Sequence, residues 1–79
     1  MLEDSIYKAI NSYIDCNYLD VTGDGRHFDA VVVSNEFMGK TPLERHRVIY
    51  SALGDMMKDQ VHALSMKLYT INEWGKLNG

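Results

Sequence analysis

Gly23-Asp24-Gly25-Arg26-His27-Phe28-Asp29-Ala30-Val31-Val32-Val33-Ser34 is the stretch on which the fold turns. From His27 to Ser34, Phe28, Ala30 and Val32 face one way while Asp29, Val31 and Val33 face the other. With its β-branched run, this is the strongest strand signal in the chain. Asp24-Gly25 is a favourable turn dipeptide, and on its far side Tyr18 to Thr22 alternates too, with Leu19 and Val21 on one face. A β-hairpin is therefore predicted. Upstream, Ile6, Ile10 and Tyr13 or Ile14 recur at helical spacing within Glu3 to Ile14. Glu3 and Asp4 fall in the first turn, where backbone N–H groups are unpaired.

Downstream, Thr41 is suited to cap a helix, Pro42 to its first turn, and Glu44 stands three residues after the cap, as a capping box requires. Val48, Ile49, Ala52, Leu53 and Met56 supply the apolar stripe, and Arg45 and Arg47 are expected to point outward. His62 to Tyr69 reads as a third strand with Leu64, Met66 and Leu68 on one face; a right-handed crossover is expected if it pairs parallel to a neighbour. Thr70 and Glu73 form a second capping box opening a short terminal helix that Trp74 could anchor. Three strands with two or three helices predict an α/β (α+β) domain, one sheet layer covered by helices, with residues 1–79 as a single domain.

A chain of 79 residues buries a modest core, and 46% hydrophobic content with one proline argues against a disordered tail. A lone cysteine, Cys16, excludes an internal disulfide framework and a cysteine-only metal site within one subunit; its simplest role is that of a small hydrophobe. The first residues lack a signal-peptide pattern and no apolar run reaches membrane-spanning length, so a cytoplasmic protein without membrane attachment is the expectation. The net charge of -3 is unevenly spread. Residues 1–39 hold two basic and seven acidic side chains, residues 40–79 six basic and four acidic, so phosphate binding is opposed in the first half and permitted locally in the second. No pairing of Asp20, Asp24 or Asp29 is fixed by spacing, and Ser34 has no base nearby in sequence; no enzyme class is indicated.

Taken together, Gly23-Asp24-Gly25-Arg26-His27-Phe28, Val31-Val32-Val33-Ser34, Phe37-x-Gly39, Arg45-His46-Arg47, His62-Ala63-Leu64 and Tyr69-Thr70-x-x-Glu73-Trp74 resemble the BolA-like family, in particular its short bacterial IbaG-like branch. The resemblance covers nearly the whole chain. It implies a type II KH-like α-β-β-α-β-α fold with a three-stranded sheet, in agreement with the segment reading. It also implies a noncatalytic adaptor in iron-sulfur cluster assembly, transfer or sensing, sharing a 2Fe–2S cluster with a monothiol glutaredoxin. The partner's cysteine and glutathione would supply the thiolates, and the isolated chain is expected to be a cofactor-free monomer or weak homodimer.

On pattern alone, an isolated histidine at a strand entrance reads as structural or exposed; the resemblance instead assigns His62 a cluster-ligating role, chemistry open to an imidazole whose second nitrogen is held by a partner. The family's second ligand sits in the loop between the first two strands, and the Gly23–Arg26 loop holds neither Cys nor His. His27, next to that loop, is the candidate second ligand, with packing or solvent exposure as its other reading; Cys16 is a weaker alternative. Arg45, Arg47 and Lys40 are candidate contacts for a protein partner, for glutathione or for nucleic acid, and Lys58 and Lys67 extend the nucleic-acid reading. His46 reads as a packing or hydrogen-bonding residue. That second function, a DNA-binding transcriptional regulator, lacks the Gly-x-x-Gly loop a KH clamp uses.

Overall fold

The computed structural model describes residues 2–59, 61 and 63–78. Helix α1 spans Leu2–Tyr13, strands β1 and β2 span Tyr18–Gly23 and His27–Val33, and a 3-10 turn covers Asn35–Phe37. Helix α2 (Pro42–Leu53), a short α3 (Met56–Asp59), strand β3 (Ala63–Tyr69) and α4 (Ile71–Asn78) complete the chain. The sheet order is β1-β2-β3, with β1 antiparallel and β3 parallel to β2. The expected order of elements is therefore present, and α2 is the crossover that parallel pairing demands.

One face of the sheet carries the core. Phe28, Ala30 and Val32 from β2 and Leu68 from β3 meet Ile6 and Ile10 of α1, and Ile49 and Leu53 of α2, with Phe37 of the 3-10 turn at the same junction. The fourfold spacing of Ile6 and Ile10, and of Ile49 and Leu53, is what turns one helical stripe toward the sheet. Val33 is also buried, although alternation puts it on the opposite face. Its register partners are Tyr18 and Tyr69, and Trp74 of α4 stacks on Tyr18 with centroids 5.2 Å apart and lies against Tyr69 at 5.8 Å. Trp74 thus anchors α4 over one end of the second face, as its aromatic character suggested.

Helix α2 stops earlier than its apolar stripe implied. Gly54 adopts φ +55°, a conformation costly for a residue with a Cβ, and its N–H closes on Tyr50 O. Met56 consequently belongs to α3, from which it still packs on the core. Ser34 is fully buried and occupied: its hydroxyl donates to Asp15 O at 2.6 Å and accepts from Glu36 N at 3.1 Å, joining the entry of β1 to the exit of β2. No helix among the described residues is long and apolar enough to cross a membrane.

Candidate functional site

The candidate residues divide between the two ends of the sheet. At the end where β2 and β3 begin, the turn is organised by Asp24. Its Oδ1 accepts the N–H groups of Arg26 at 2.9 Å and His27 at 2.8 Å, an arrangement that fixes the strand entrance without any tertiary support. These bonds, His27 first, hold the Asp24 carboxyl below the usual carboxylate range. Its other oxygen lies 3.6 Å from His27 Nδ1, a charge contact longer than a hydrogen bond. The His27 side chain is 73% exposed, so its imidazole is open to a partner. The register partner of His27 on β3 is Ala63, the residue that follows His62 in sequence; His62 itself lies outside the described residues.

Near the other end, Arg45 overturns the expectation that it points outward. Its side chain is only 13% exposed. Nε donates to Lys40 O at 3.0 Å, Nη1 to Leu68 O at 3.1 Å and to Glu73 Oε1 at 2.7 Å, and Nη2 to Glu73 Oε2 at 3.3 Å; the guanidinium also lies 5.8 Å from the Phe37 ring centroid. One planar fork therefore ties the loop before α2, the edge of β3 and α4 together, a task for which an ammonium has the wrong shape. Glu73 serves two partners, since Oε1 also accepts Thr70 N at 2.8 Å while Thr70 Oγ1 accepts Glu73 N at 3.2 Å. The Arg45 bond, then the Thr70 N–H, bring the Glu73 pKa down to about 2.

The remaining candidates stand apart. Lys40 is half-buried and donates to Glu36 O at 2.8 Å; Arg47 is exposed and makes no hydrogen bond or ion pair among the described residues. Lys58 faces Asp55 at 3.7 Å and Lys67 is exposed on β3. His46 packs edge-on to Tyr50 with centroids 6.2 Å apart. Cys16 precedes β1, at the Tyr18 end rather than the His27 end. Burial above all, then the Glu36 and Asp15 carboxylates, push its thiol pKa up, which disfavours the thiolate an iron ligand needs. Ala63 and Leu68 lie five steps apart on β3, about 17 Å, so Arg45 and His27 do not form one surface. Among the described residues, no three His, Cys, Asp or Glu side chains converge as a metal site. Arg45's inward role was nonetheless open to reading: it precedes Ile49 and Leu53 at fourfold spacing and so shares their buried stripe, whereas Arg47 falls on another face.

An α-β-β-α-β-α chain on a three-stranded mixed sheet, with its main helices on one face, defines a KH-like α+β domain. The chain belongs to the BolA-like family: the family model for "BolA-like protein" matches residues 5–73. Among curated relatives, the "DNA-binding transcriptional regulator BolA" of Escherichia coli is 48% identical over 66% of this chain and 50% of its own length, so the match spans half of that relative. The protein of the same name from Vibrio cholerae is 32% identical over 99% of this chain and 83% of its own. The "Acid stress protein IbaG" of E. coli is 31% identical over 100% and 99%. Near-equal identities to the last two leave the branch within the family unassigned. Among solved structures, a "bol-like protein" from Babesia bovis matches with TM-score 0.86 and 33% identity, covering 98% of this chain and 93% of that one. The BolA domain of SufE1 from Arabidopsis thaliana matches at 0.83 and 31%, covering 91% and 94%. Yeast Fra2 matches at 0.75 and 38%, covering 95% and 85%.

Proposed function

We propose that this chain is a noncatalytic adaptor in iron-sulfur cluster assembly, transfer or sensing, and that it shares a 2Fe–2S cluster, as cargo, with a monothiol glutaredoxin. The observation that carries the reading is His27, an exposed imidazole with a carboxylate beside Nδ1, on a strand whose register partner directly follows His62 in sequence. The Asp24 carboxylate, 3.6 Å from Nδ1, is outside hydrogen-bond range and supports the ring by its negative charge alone, leaving the exposed imidazole open as a ligand. His62 and His27 are the imidazoles this chain would offer. The thiolates would come from the partner's cysteine and glutathione, since Cys16 lies at the Tyr18 end of the sheet and burial pushes its thiol pKa up. Likeness to yeast Fra2 and to the BolA domain of SufE1 supports the general role. The end-to-end match with IbaG supports placement in the short branch.

The test is to mix the protein with cluster-bearing, glutathione-loaded glutaredoxin and follow particle size, iron content and visible circular dichroism. A heterodimer with an altered cluster spectrum is expected, and His62→Ala is expected to remove the alteration. An unchanged glutaredoxin spectrum in a mixture that never forms a heterodimer would overturn the reading.

The names of two curated relatives favour DNA binding as a second reading. Of the basic residues nominated for it, Arg45 is committed to Glu73 and Lys40 to a backbone carbonyl, leaving Arg47, Lys67 and Lys58, the last facing Asp55, as the exposed cations. A duplex contact through them is expected to weaken with salt by counterion release. Absence of binding to duplex DNA at low salt would remove this reading.

A further inference from the structure

We propose that the outer edge of β3 is a docking groove for an extended, acidic peptide segment of a partner protein, which binds by adding a strand to the sheet. In the order β1-β2-β3, β3 has a neighbouring strand on one side only among the described residues. Tyr69 O faces β2, where Ser34 N donates to it at 2.9 Å, so strand alternation turns the backbone groups of Met66 and Leu68 outward. The reach of Arg45 Nη1 to Leu68 O, 3.1 Å, confirms that side and closes the edge there, leaving the Met66 groups and Leu68 N–H to an added strand.

Two hollows flank this edge. One, of about 250 Å³, is bounded by Pro42 and His46 of α2 and by Met66; the other, of about 400 Å³, is bounded by Lys76 and Leu77 of α4. They share Arg45, Leu68 and Tyr69, and so adjoin. Successive side chains of an added strand point to opposite faces, which suits one hollow on either side of the edge.

The partner's charge follows from the lining. Arg45, Lys67 and Lys76 stand there against one carboxylate, Glu73, in a chain whose net charge is -3. Glu73 is paired with Arg45, which leaves Lys67 and Lys76 to meet the partner's acids. Peptide is favoured over nucleic acid because the unpaired edge offers alternating donors and acceptors, and the walls include Met66, Leu68 and Leu77; phosphates match neither feature. A lysine on an edge strand also discourages pairing between copies, so the peptide's acids are what convert a guarded edge into a selective one.

The full-length, isotope-labelled protein titrated with an octapeptide alternating glutamate and valine tests this. Amide shifts are expected at Met66, Leu68 and Tyr69 and around Leu77. The Lys67→Glu/Lys76→Glu double variant, at two exposed positions and verified as folded by circular dichroism, is expected to bind roughly fivefold more weakly. A lysine–valine octapeptide, and a glutamate–valine octapeptide N-methylated at alternate residues, are expected not to bind. The proposal is overturned by an absence of shifts at millimolar peptide, by equal binding of the N-methylated peptide, or by an oligonucleotide that perturbs the same amides more tightly. None of these outcomes depends on the cluster or on His27.

Discussion

The two ends of the sheet use charge in opposite ways. At the His27 end, the ionisable groups are exposed and held by a local turn, so an imidazole is left accessible while the fold depends little on it. At the Arg45 end, a guanidinium and a carboxylate are consumed in joining three segments, and α4, which has no buried residue of its own, is held by that pair and by Trp74. Charge type therefore says little about role; the number of segments a charged group connects says more. The contrast predicts which substitutions unfold the protein and which only silence it.

Arg45→Ala is expected to have the largest effect on stability. It leaves the Leu68 and Lys40 carbonyls and half of the Glu73 carboxylate without their partner, for a loss of about 2–4 kcal/mol in urea denaturation. A loss below about 1 kcal/mol would mean that Trp74 alone holds α4 and that Arg45 was available as a surface contact after all. Gly23→Ala comes next and tests the other end. An added Cβ there would press on the buried Phe28 ring, which must shift at a cost of roughly 1–3 kcal/mol. Unaltered stability would show that the end near His27 is looser than its packing suggests.

Acid titration separates the ends further. Glu73 has its pKa lowered from an ordinary 4.5 to about 2, so its stabilisation is complete above 4.5 and is lost as pH falls toward 2. Glu73→Gln is expected to lower stability at neutral pH and to flatten this acid limb, with the Trp74 fluorescence reporting release of α4. An acid limb equally steep in the variant would place the lability elsewhere.

Most of the fold was legible because its signals are local. The His27–Ser34 alternation, the Asp24-Gly25 turn and the two capping boxes each involve residues within a few positions of one another, and all stand where expected. The end of α2 was missed because an apolar stripe continuing to Met56 hid a glycine that breaks the helix at Gly54. Arg45 was missed for a different reason: its partner Glu73 lies 28 residues away, and a capping glutamate gives no sign in sequence that its second oxygen serves another element. Conversely, the exposure of His27 came from structure, since strand position alone did not separate packing from solvent.

His27→Ala carries the smallest predicted change in stability and the most decisive change in function. The ring is 73% exposed and its backbone N–H, which bonds Asp24, survives the substitution, so the denaturation midpoint is expected to move by the equivalent of no more than about 0.5 kcal/mol. If His27 supplies an imidazole to the shared cluster, the visible circular dichroism of the heterodimer changes although size and iron content of the mixture first formed are retained through the other ligands. Asp24→Asn then distinguishes a ligand from a bystander. It removes the negative charge beside Nδ1 while keeping an oxygen to accept the Arg26 and His27 N–H groups, so the turn persists and the ring loses its electrostatic support. A spectral change smaller than that of His27→Ala, in the same direction, is the expected result. Identical spectra for the parent and both variants would return His27 to solvent and leave His62 as the one imidazole proposed for the cluster.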